Sequence, residues 1–154
     1  MTRGRLILLA MAGSAALLLG ALGFQHLGGL APCKLCIWQR WPHVAAIIVG
    51  LVALIVPARL LCLLGATCTS LSAAFGLYHT GVERGWWEGP TTCTSGPVGS
   101  LSGEDLMAQI MSAPLTQCDV VAWQMLGLSM ASWNAVLSLA LAAIWIAAFR
   151  RDQA

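Results

Sequence analysis

Charged residues divide this chain into apolar blocks. Four stretches carry no charge: Leu6–Phe24, Trp41–Val56, Leu60–Tyr78 and Val120–Phe149. About 20 apolar residues cross a bilayer as a helix, so the first, third and fourth are long enough. The second is shorter and contains Pro42. It reaches spanning length if its helix starts near Pro32, since Pro suits a first helical turn. Arg40 would then snorkel or face a partner inside the bundle. The pattern predicts helices over 6–24, 34–56, 60–79 and 122–149. The fold class expected is an all-α membrane protein, a four-transmembrane-helix bundle in one domain over 1–154. Two extracytoplasmic loops, 25–40 and 80–121, join the spans on one side. In the second loop, Ser102-Gly103-Glu104-Asp105 has the form of a capping box. Leu106, Met107, Ile110 and Met111 then make the apolar face of a short amphipathic helix stopped at Pro114, suited to a membrane surface or a partner.

Composition supports this division. The chain is 58% hydrophobic and 9% charged, against roughly 25% charged in soluble domains. It cannot cover a water-facing surface. Membrane lipid is its expected surrounding, and no nucleic-acid partner is expected. Arg3, Arg5, Arg59, Arg150 and Arg151 flank the spans on one side, and basic flanks mark the cytoplasmic side. Both termini are therefore expected inside. The first span has the basic start of a signal peptide. Its apolar run exceeds a usual signal core, and no Ala-x-Ala site closes it, so it is read as a retained helix.

Candidate chemistry concentrates where the first two spans meet, in Cys33-Lys34-Leu35-Cys36-Ile37-Trp38-Gln39-Arg40. On a helix, positions 33, 36 and 40 follow the i, i+3, i+7 spacing of one face. Two of the six cysteines, Cys62 and Cys68, lie inside the third span and read as packing. The other four form a close pair, Cys33 and Cys36, and a separated pair, Cys93 and Cys118. Two structural disulfides are one reading. It suits Cys33 and Cys36 poorly, because so short a loop constrains little of the unfolded chain. A four-thiolate zinc site is another, although Cys93 and Cys118 lack the usual close spacing. Thiol exchange is the third, since a helix N-terminus and the Arg40 cation would both favour a thiolate. Ile37 stands where a c-type haem site needs His.

Other polar residues carry weaker signals. His26 and His43 read as packed or interfacial. Trp38 and Trp41 sit where an aromatic belt would be. Gly85–Pro90 reads as a turn with two interfacial rings, Trp86 and Trp87. Asn134 reads as a helix–helix hydrogen bond. His79 lies near the acidic Glu83, with structural and functional roles evenly matched.

These residues resemble the disulfide bond formation protein DsbB family. The resemblance rests on Phe24-Gln25-His26, Cys33-x-x-Cys36-x-x-x-Arg40, the four-span plan, Tyr78-His79, and Cys93 with Cys118. Trp123-x-x-x-Gly127-x-Ser129-Met130-x-x-Trp133 adds to it. It implies a quinone-linked disulfide generator in a bacterial inner membrane, with its reactive loops periplasmic. Cys93 and Cys118 would form a disulfide that oxidises a soluble DsbA-type, thioredoxin-fold partner. Cys118 would exchange with Cys33, and Cys36 would face a quinone of ubiquinone or menaquinone type. Arg40 and His79 would be quinone-site residues. No metal ligands are implied, and Glu83, Trp86 and Trp87 receive no catalytic role. The alternatives are a dedicated oxidase for one secreted substrate, and a non-enzymatic scaffold, disulfide-stapled or metal-binding.

Overall fold

The computed structural model describes residues 1–91, 93–94, 102–104, 107, 111 and 116–151. Thr2 opens α1 (Arg3–His26) by accepting from the Arg5 amide at 3.4 Å, as an N-cap side chain does. The chain leaves α1 through Gly28-Gly29. Gly29 sits at φ +67°, where a side chain would be strained. Cys33 is the N-cap of α2 (Lys34–Ile55). A short turn leads into α3 (Leu60–Glu83), which runs a turn further than the expected 60–79. Strands β1 (Gln124–Met125) and β2 (Leu128–Ser129) form an antiparallel hairpin. The last helix is α4 (Met130–Arg151). Among the described residues, these four helices are long and apolar enough to cross a membrane.

The expected start of the fourth span at 122 is corrected to Met130. Leu126 at φ 54° and Gly127 at φ 76° make a two-residue hairpin turn of the kind that needs positive φ at both positions. Ser129 then caps α4, its hydroxyl accepting from the Ser132 amide at 3.2 Å. In the proposed amphipathic helix, Leu106 and Ile110 lie outside the described residues.

Helix packing uses small residues, because lipid supplies no hydrophobic drive between helices. α3 packs on α2 and α4, and α1 completes the bundle against the same two. A Cβ at Gly65 would lie 2.5 Å from the Trp145 ring, and one at Gly76 would lie 2.9 Å from the Ala131 carbonyl. Trp145 is fully buried in a core with Ile7, Ala10, Ala53, Cys62 and Ala148. Cys62 is therefore a packing residue of this core. At the same end Arg3 donates to the Ala58 carbonyl at 3.4 Å, and the Arg59 guanidinium lies 4.6 Å from the Phe149 ring centroid. Basic side chains thus gather at one end of the bundle. The other end holds a second buried cluster of Cys33, Leu35, Val82, Cys93 and Cys118.

Pro42 sits within α2 and removes one helical N–H. Nearby, Ser72 on α3 donates its hydroxyl to the Gln39 carbonyl at 2.9 Å.

Candidate active site

Four cysteines meet at the end of the bundle opposite Arg3 and Arg59. Cys93 and Cys118 are joined as a disulfide with Cα atoms 5.4 Å apart. The bond lies in one buried cluster with Cys33, and Cys36 packs against that cluster. Cys33 and Cys36 are not bonded to each other. Their sulfurs are 2.8 Å apart, and Cys33 Sγ accepts from the Cys36 amide at 3.2 Å. The pair therefore sits on the N-terminus of α2, where unpaired amides favour negative sulfur. The contact with the Cys36 sulfur, and burial after it, push the Cys33 thiol up. With Cys93 and Cys118 bonded, four thiolates are not available together for a zinc ion.

The loop after α3 is folded back to hold Cys93 in place. Trp87 donates its indole N–H to the Tyr78 carbonyl at 2.9 Å and stacks on the Tyr78 ring at 6.1 Å. Gly81 leaves the space that the Trp87 ring occupies. Trp87 thus anchors the loop to the end of α3. Cys93 donates its amide to the Pro90 carbonyl at 2.9 Å, and the Cys118 amide donates to the Cys93 carbonyl at 2.6 Å. These bonds set the disulfide above α3.

A cavity of about 450 Å³ opens beside the pair. Cys33, Cys36, Gln39, Arg40, His43, His79, Glu83 and Asn134 line it, with apolar walls from Ala16, Leu17, Ala21 and Phe24 of α1 and from Trp123 and Trp133. That volume lies within the usual range for small-molecule sites. Arg40 donates to Gln25 Oε1 at 2.6 Å, and the Phe24 ring packs on Trp123 at 5.0 Å. The Phe24-Gln25-His26 motif thus builds the cavity rim through its first two residues. His26 is exposed.

Sequence reasoning missed a buried polar network behind the pair. His79 Nδ1 meets Gln39 Nε2 at 2.9 Å, while its Nε2 lies 3.6 Å from Cys33 Sγ and 3.9 Å from Glu83 Oε1. Asn134 donates to Gln39 Oε1 at 2.9 Å. His43 Nε2 lies 3.1 Å from Asn134 Oδ1 and 3.1 Å from the Ser138 hydroxyl. His43 is only 2% exposed, a packed side chain as its sequence reading had it. One signal pointed there: 36, 39 and 43 share a helical face by the i, i+3, i+7 spacing. The expected hydrogen bond at Asn134 is present, and it runs to Gln39, Ser72 and His43 on the neighbouring helices and to Ser138 on its own.

The cysteine pairing and the four-helix plan point to one family, and so do the relatives. The family model "Disulfide bond formation protein DsbB" matches residues 3–148. Disulfide bond formation protein B of Stutzerimonas stutzeri (strain A1501) is 32% identical over 96% of this chain and 95% of its own. The protein of the same name from Pasteurella multocida (strain Pm70) is 32% identical over 90% of this chain and 84% of its own. An uncharacterised protein of Rickettsia prowazekii (strain Madrid E) is 34% identical over 76% of this chain and 70% of its own. No solved structure matches the chain. A bundle of membrane-spanning helices with two cysteine pairs brought into one cluster, matched along nearly its whole length, belongs to the DsbB family of disulfide-forming membrane proteins.

Proposed function

We propose that the chain reoxidises a periplasmic DsbA-type dithiol protein and passes the electrons to a membrane quinone, of ubiquinone or menaquinone type. The observation that carries this reading is the packing of the Cys93–Cys118 disulfide against Cys33, with Cys36 of the same pair lining an apolar cavity beside Arg40. Two exchange sites in contact, one opening to a lipid-soluble acceptor, suit a relay.

Bonds and electrons balance at each exchange. A partner thiolate attacks Cys93, and Cys118 leaves as a thiolate. The partner's second thiol closes the partner's own disulfide and releases Cys93. Cys118 then attacks Cys33 of an oxidised Cys33–Cys36 pair, and Cys36 leaves. Cys93 attacks Cys118, which restores their bond and releases Cys33. Closing Cys33–Cys36 again frees two electrons and two protons, which a bound quinone takes up. Arg40 supplies a fixed cation where negative charge develops, and such preplaced groups act strongly in a low-dielectric site. A relay from a dithiol protein through a DsbB-type membrane protein to quinone keeps the bacterial periplasm oxidising.

The gathered basic ends support both termini in the cytoplasm, with the cysteine loops in the periplasm of a bacterial inner membrane. The test uses the purified chain in lipid nanodiscs with decylubiquinone and a reduced DsbA-type protein. Quinone-dependent disulfide formation in the partner is expected. In a Cys118→Ala chain offered the oxidised DsbA-type protein instead, the free Cys93 thiolate attacks the partner's disulfide, and a mixed disulfide on Cys93 should accumulate and vanish on reduction. No partner oxidation in the presence of quinone would overturn the reading.

A further inference from the structure

We propose that Gln39 and Asn134 are positioning residues: they fix the His79 ring so that its Nε2–H faces Cys33 and stabilises the thiolate that Cys33 becomes during exchange. This rests on the proposed relay. It assigns His79 to the sulfur chemistry as well as to the cavity wall.

Donors and acceptors along the network set the direction of every bond in it. The Ser72 hydroxyl and the Gln39 Oε1 both lie within reach of Asn134 Nδ2, at 3.1 and 2.9 Å. Asn134 Oδ1 faces His43 Nε2 at 3.1 Å, so the Asn134 amide is oriented with its donor toward Gln39. Gln39 Oε1 is thereby occupied as an acceptor. Its Nε2 then has two acceptors: the Leu35 carbonyl at 3.1 Å and His79 Nδ1 at 2.9 Å. A ring nitrogen that accepts a hydrogen bond carries no proton. The neutral His79 ring must therefore carry its proton on Nε2. That nitrogen lies 3.6 Å from Cys33 Sγ, within reach of a hydrogen bond to sulfur. Orientation by the opposite nitrogen is the usual way a histidine is set for its task.

The step that uses this bond is the attack of Cys93 on Cys118. The Cys118–Cys33 bond breaks, the Cys93–Cys118 bond forms, and the electron pair of the broken bond stays on Cys33. No outside oxidant enters. The His79 N–H is already placed where that charge appears, so it needs no reorganisation.

The groups facing His79 define what else could titrate. α2 brings Cys33 and Cys36, with Arg40 on the same cavity. Glu83 on α3 lies 3.9 Å from Nε2. The outer loop brings the backbone of Cys118, whose sulfur is bonded. α4 reaches the ring through Asn134 by way of Gln39, and the α1 residues of the cavity are uncharged.

The test isolates Cys33 in a full-length chain in nanodiscs carrying Cys36→Ala, Cys62→Ala and Cys68→Ala. The Cys93–Cys118 disulfide stays intact. Alkylation of Cys33 by iodoacetamide is followed by mass from about pH 6 to about pH 9. In that background, Gln39→Glu should alkylate like its parent at acid pH, where a protonated carboxyl or an imidazolium leaves Nε2–H in place. At alkaline pH the introduced carboxylate draws the ring proton to Nδ1, and alkylation should fall about tenfold, the size of one hydrogen bond to a charged group. His79→Phe should lose about tenfold at every pH. Asn134→Ala, which touches neither His79 nor Cys33, should lose about threefold. A Gln39→Glu profile parallel to its parent, or an unchanged His79→Phe, overturns the proposal. Turnover with decylubiquinone and a reduced DsbA-type protein is measured separately. Altered alkylation profiles in a chain without turnover would overturn the relay and leave the His79 assignment standing.

Discussion

The Arg40 guanidinium donates to Gln25 Oε1 at 2.6 Å, which ties the second turn of α2 to the C-terminal end of α1. A cation at a membrane edge is costly unless something there uses it. Gln25 holds one edge of the guanidinium fork, and Arg40 lines the cavity beside Cys36.

Arg40→Ala should therefore impair quinone reduction severely and Arg40→Lys mildly. Losing one hydrogen bond to a charged group costs on the order of 1.5–3 kcal/mol, roughly one to two decades in rate. Exchange between Cys93–Cys118 and the partner should survive in both. Turnover against quinone concentration, with partner saturating, makes the measurement. Unchanged quinone kinetics in a correctly inserted Arg40→Ala chain would reduce Arg40 to an anchor.

Cysteine substitutions should divide into two groups. Replacing Cys33, Cys36, Cys93 or Cys118 by Ala should stop turnover, because each exchange needs a second sulfur to resolve it. Replacing Cys62 and Cys68 together should leave turnover near the parent level. Cys62 lies in the core around Trp145, away from the reactive cluster, so any cost should appear in stability. A well-folded but inactive double variant would show that one of them carries electrons.

Much of this was readable from the chain because it rests on local pattern. Uncharged length marked out the spans, and cysteine position marked the two segments that the fold brings together. The start of α4 was hidden for a physical reason. Leu126 does not advertise a positive φ as Asn or Gly would, and the uncharged run passes through the hairpin without a break. The network behind Cys33 was hidden differently. Gln39 and Asn134 are 95 residues apart in sequence, and their contact depends on how α2 and α4 are rotated in the bundle. Composition shows a lone amide in an apolar run. It does not show which way that amide points.

The reduced pair should give the protein a distinctive alkaline limb. The Cys36 sulfur, and then burial, hold the Cys33 thiol above its ordinary value of 9.0. The folded chain keeps a proton there that the unfolded chain releases. More protons bound in the folded state means stability falls as pH rises. The contribution is complete below the unfolded value and is lost as pH climbs from it through the folded value. Thermal unfolding of the reduced protein should therefore weaken above about pH 9 more steeply than that of Cys33→Ala. Equal slopes for the two proteins would mean that Cys33 titrates as it does in the unfolded chain.

The contact between Gly65 and Trp145 should be the least forgiving point in the bundle. A Cβ at Gly65 would lie 2.5 Å from the indole ring, and Trp145 is completely buried among residues of α1, α2, α3 and α4. The ring is bulky, rigid and enclosed, so it cannot swing aside into solvent. Overpacking of this kind costs about 1–3 kcal/mol, and Gly65→Ala should lower the unfolding temperature accordingly. Gly20 serves as the comparison, because nothing lies within 4 Å of a Cβ built there. Gly20→Ala should be neutral or slightly stabilising, since Ala is the better helix former by about 1 kcal/mol. Coupling gives the decisive measurement. Trp145→Leu alone should destabilise by leaving a cavity, but it vacates the space that the methyl group added by Gly65→Ala needs. The two changes together should therefore cost less than their sum, by about 0.5–3 kcal/mol as for other contacting pairs. Strict additivity in the double variant would show that the α3–α4 approach is not set by this glycine.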